Sequence, residues 1–125
     1  MGKIFEFDPQ IYPRKLWVVV NPNYEDINKT FEESIDELED HYEAIVHHVT
    51  HTSSGKGGLL VIFKDVEFMT TSTISHESTH VAIDIFEYTG CRIDYLNQES
   101  FAYLVGWIAG CINTVNDGIH SKKMQ

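Results

Sequence analysis

Residues able to do chemistry concentrate in one stretch, Ile74-Ser75-His76-Glu77-Ser78-Thr79-His80-Val81-Ala82-Ile83-Asp84. His76 and His80 are four residues apart. On a helix both imidazoles leave one face a turn apart, close enough to hold a single metal ion. Glu77 lies beside them and can reach a water bound to that ion. A catalytic zinc takes three protein ligands and keeps a position open for water, so one ligand is missing from the pair. Glu99, nineteen residues after His80, is the expected third. Two imidazoles and a carboxylate suit one Zn2+ ion.

The bland alternative is a surface helix carrying two solvated histidines, since an isolated H-E-x-x-H can arise by chance. The joint pattern argues against it. The motif sits in a run that reads as a buried helix, Asp84 follows His80 by one turn on the same face, and a second helix then opens with a carboxylate. Burying a glutamate and two histidines is costly unless something pairs with them. A metal would.

Several elements must position these residues. Lys3–Phe7 alternates like a short strand, and Lys15–Val20 reads as a well-buried one ending at Asn21-Pro22-Asn23. From Tyr24 to about Asp40, Ile27, Phe31, Ile35, Leu38 and, just beyond, Tyr42 follow helical spacing with glutamates outside, which predicts an acidic, solvated helix. Ala44–Thr52 and Leu59–Phe63 flank the turn Ser53-Ser54-Gly55-Lys56-Gly57-Gly58 and predict a hairpin. The cluster His47, His48 and His51 is split between strand faces, so it is expected to be solvated or peripheral to the cleft. Thr71 or Ser72 is the expected cap of the metal helix, and Gly90 its closing residue. Asn97 is expected to cap a returning helix running to about Asn116, with a frayed polar tail after it. Its twelve nearly unbroken apolar residues from Phe101 to Ile112 predict burial on all sides. Ala102, Gly106 and Gly110 form a flat stripe suited to close approach by the metal helix. In that arrangement Glu99 can sit opposite His80. Tyr88, Tyr95, Tyr103 and His120 are the candidate donors to a developing oxyanion, with Tyr95, in the connector between the two helices, preferred.

Composition bounds the class. A chain of 125 residues is one domain, 1–125, with a modest core. Apolar content of 42% and mean hydropathy of −0.21 fit a soluble protein. A net charge of −10 argues against nucleic acid or an anionic membrane as partner. No stretch reaches membrane-span length and no signal-peptide core opens the chain, so a cytoplasmic location is expected. Cys91 and Cys111 are too few for a disulfide framework.

His76-Glu77-x-x-His80, eighteen intervening residues and Glu99 resemble the gluzincin signature, with the spacing of zinc aminopeptidases related to leukotriene hydrolase. The Asp84 position is also similar to the thermolysin pattern. The match covers roughly Ile74 to Gly110. The resemblance implies an α+β, minimal zincin-like fold, with a small mixed sheet packed on the H-E-x-x-H helix and a following buried helix. It implies His76, His80 and Glu99 as zinc ligands, Glu77 as general base, and Asp84 as an acid orienting a ligand histidine. The expected activity is zinc-dependent hydrolysis of a peptide or protein substrate. The Leu59–Phe63 strand, if at the sheet edge, could pair with that peptide. Where thermolysin-like enzymes carry a further acid four residues after the ligand glutamate, this chain has Tyr103. The alternatives are a non-catalytic protein of the same fold that binds a metal or a partner, and an ordinary α+β protein with chance histidines.

Overall fold

The computed structural model describes residues 2–124. Four strands, β1 (Ile4–Phe7), β2 (Lys15–Val20), β3 (Ala44–Thr50) and β4 (Gly57–Phe63), form one sheet in the order β1-β2-β4-β3. The β1–β2 and β3–β4 pairs are antiparallel, and β2–β4 is parallel. Helices α1 (Tyr24–Thr30), α2 (Thr71–Thr89) and α3 (Glu99–Met124) complete an α+β fold.

Both faces of the sheet are covered, which explains why β2 and β4 read as continuous apolar runs. Leu16, Val18, Leu59, Val61 and Phe63 pack against α2 and α3. Trp17, Val19, Leu60 and Ile62 face the other way, onto Ile27, Phe31 and Ile35. At Gly58 the two central strands approach so closely that a Cβ would collide with the Lys15 carbonyl.

The acidic helix is much shorter than its periodicity predicts. It is capped by the Asn23 side chain at Asp26 N–H and ends where Phe31 turns extended, at φ −115° and ψ 151°. The Asn28 side chain then bonds both N–H and C=O of Ile35, and Tyr24 accepts from Leu38 N–H. Phe31, Ile35 and Leu38 still reach the apolar cluster, but from an irregular segment. Burial, not helical pairing, dictated their spacing.

Helix α2 starts from Thr70, whose hydroxyl accepts from Thr73 N–H, and stops at left-handed Gly90, φ 76°. Helix α3 continues through the expected frayed tail, and Ile119 packs against the core. It is not buried all round. Leu104, Ile108, Cys111, Ile112 and Val115 form the buried stripe. Ala102, Gly106 and Gly110 face outward, and a Cβ on either glycine would meet nothing within 4 Å. The larger apolar side chains win the contact with α2, because they bury more area than a flat stripe could. Cys91 is exposed and Cys111 buried, both as free thiols.

Candidate functional site

Helix α2 lies over the β3 side of the sheet, and between the two runs a cleft of about 550 Å³. His76, Glu77, His80 and Asp84 line one wall, and His41, Tyr42 and residues 44–46 line the other. The helical register does what the spacing predicts. His76 Nε2 and His80 Nε2 are 3.1 Å apart, with the rings edge-to-face at 4.7 Å between centroids. A tetrahedral zinc with Zn–N near 2.0–2.1 Å holds its ligand nitrogens about 3.3 Å apart. The separation is close to that of two ligands on one ion, and it is also that of a direct hydrogen bond between the two imidazoles.

Glu77 is only 5% exposed, yet it borders the cleft. Burial pushes its carboxyl above the usual range, against the pull of His76 and His80. Ser78 beside it is fully buried with an unpartnered hydroxyl.

The expected third ligand is not brought to this pair. Glu99 is exposed and borders a separate depression with Ala102, Tyr103, Gly106 and Trp107. Phe101 packs on Phe86 at 5.3 Å between ring centroids, so α3 begins beside the last turns of α2. Phe86 is six residues past His80, or about 9 Å along the axis. The connector is long enough to fold back over His80, but pairing of the apolar stripes sets the register. Among the described residues no group of three His, Cys, Asp or Glu side chains is placed to hold a metal ion. The two histidines fit a cation; Glu99, as placed, does not complete its shell.

Two other expected roles also shift. Tyr95 is 79% exposed in the connector and does not line the cleft. The tyrosine that does is Tyr42, whose ring lies 4.3 Å from that of His41. Its apolar spacing assigned it to the acidic helix, so no sequence signal marked it for the cleft. Asp84 lines the cleft but faces His48, with Oδ2 3.6 Å from Nε2, instead of orienting His76 or His80. The second histidine cluster is dispersed. His47 is on the opposite sheet face, where burial lowers its pKa against the pull of Asp36. His51 stacks on Trp17 at 5.9 Å.

β4 is a central strand, so it cannot accept a peptide; β3 is the edge beside the cleft. Lys64 N–H donates to Glu43 C=O and His51 N–H to Lys56 C=O. That parity turns residues 45, 47 and 49 toward β4 and sends the N–H and C=O groups of Ala44, Val46 and His48 outward.

Comparison with known proteins finds no matching family model, no matching curated protein and no matching solved structure. What the chain displays is an α+β fold with a mixed four-stranded sheet and an imidazole–carboxylate cleft at its β3 edge. Among the described residues no helix is long and apolar enough to cross a membrane.

Proposed function

We propose that this chain is a small zinc-dependent peptidase that works on extended peptides at the β3 edge. The observation that carries the reading is the convergence of His76 and His80 at 3.1 Å, with buried Glu77 bordering the same cleft. When bound, zinc supplies a Lewis acid that polarises a carbonyl and acidifies a water. His76 and His80 would hold it. Glu77, with its proton affinity raised by burial, can take the proton of the attacking water and return it to the leaving amine. The outward backbone groups of β3 can pair with the substrate chain and hold it along the helix wall.

The test has two parts. Elemental analysis of protein incubated with zinc should find about one ion per chain, lost on joint His76→Ala and His80→Ala substitution. Hydrolysis of a casein-derived peptide mixture should disappear with chelator and with Glu77→Gln. Protein that stays metal-free in excess zinc would remove the proposal.

A second reading, a non-catalytic peptide-binding domain, is favoured by one observation: the described residues provide no third ligand. Zinc-dependent turnover would exclude it.

A further inference from the structure

The edge of β3 is open along only part of its length. Segment 30–32 pairs antiparallel with 50–52: Glu32 N–H donates to Thr50 C=O at 2.9 Å, and Thr52 N–H to Thr30 C=O at 2.9 Å. Glu33 then closes the row by accepting from Thr50 N–H at 2.6 Å and from its hydroxyl at 2.9 Å. What remains is the run from Ala44 to His48, blocked at its Thr50 end by the chain itself.

A peptide continuing this row beside the helix wall meets that block at one of its ends. Charge decides which end. Glu32 and Glu33 form the stop, and Asp84 stands on the facing wall at the His48 position, its side chain 29% exposed. A free ammonium is stabilised there and a free carboxylate is repelled. At the opposite end Glu43 lines the cleft, so a chain terminus with a carboxylate is disfavoured there too. Antiparallel pairing with β3 places the peptide's N-terminal side at the block.

Distance along the wall then sets the register. The His76–His80 turn centres on Ser78, six residues before Asp84. That is about 9 Å along the helix, and an extended peptide covers it in about two to three residues at roughly 3.4 Å each.

Building on the peptidase reading, we propose that the cleft accepts the free N-terminus of an extended peptide. The peptide runs antiparallel to β3 with its ammonium against Asp84, and the bond two to three residues from its start lies at the His76–His80 turn. Substrates are then peptides with an unblocked N-terminus, and the products are short N-terminal fragments.

The test uses full-length Glu77→Gln protein, which should not turn over, and a threonine- and alanine-rich hexapeptide with a fluorophore on its C-terminal lysine side chain. Fluorescence anisotropy compares the free, N-acetylated and C-amidated forms. Acetylation should weaken binding by about five- to tenfold, the size expected for one partly exposed charge contact, and amidation should not weaken it. Adding Asp84→Asn should reduce the acetylation effect to less than about twofold. Equal binding of free and acetylated peptides overturns N-terminal recognition while leaving the edge as a peptide site. Failure of every form to bind overturns both.

Discussion

Replacing Glu77 by Gln should stabilise the metal-free protein at neutral pH. Glu77 is 5% exposed as a residue, borders the cleft, and has its carboxyl raised by burial. Partial removal from water costs an ionised carboxylate more than a neutral amide of the same shape. A net gain of about 1 kcal/mol is therefore expected. For a 125-residue chain, at about 2.1 cal/mol/K of unfolding entropy per residue, that raises Tm by about 4 °C. The pH dependence has a definite sign. Folding lifts this carboxyl above its ordinary 4.5, so over that window the folded state keeps a proton that the unfolded chain has released. Stability contributed by the group is therefore lost as pH rises from about 4.5, and the penalty is absent below it. Thermal melts followed by circular dichroism, with chelator present, should show the variant ahead of wild type at about pH 7.5 and the gap closing near pH 4.5. A variant that melts at or below wild type at neutral pH, or by the same margin at both, would refute the account of a desolvated base.

Other perturbations probe the rest of the molecule. Ser78→Ala removes a fully buried, unpartnered hydroxyl and should add about 1 kcal/mol in urea unfolding. Gly106→Ala and Gly110→Ala place a methyl in open space on α3 and should each add about 1 kcal/mol by helix propensity; a loss at either would mean that the stripe is covered. Gly58→Ala drives a Cβ into the Lys15 carbonyl and should abolish cooperative unfolding. Glu33→Ala frees the Thr50 end of β3 and should cost on the order of 1–3 kcal/mol near neutral pH. Burial pushes the Glu33 carboxyl up, but its hydrogen bonds outweigh this and hold it below 4.5. Its contribution is thus present above that pH and lost as the solution is acidified through the lowered value. A Glu33→Ala penalty that persisted unchanged in acid would refute that role.

The sequence alone determined what depends on neighbours along the chain. The imidazoles of His76 and His80 meet because helical geometry forces residues four apart onto one face. Strands β2, β3 and β4, the closing Gly90 and the run of α2 follow likewise from local apolar runs and turns, although its cap is Thr70 and not Thr71 or Ser72. Tertiary structure decided everything that depends on how elements are laid side by side. Register between α2 and α3 was set by Phe86 on Phe101 and by the Leu104–Val115 stripe, and it carried Glu99 away from His80. Sheet order made β3 the edge and brought Tyr42 to the cleft, while Asp84 found His48 on a strand 36 residues earlier. Packing maximises the apolar area removed from water over the whole molecule. No single stretch of sequence contains that sum.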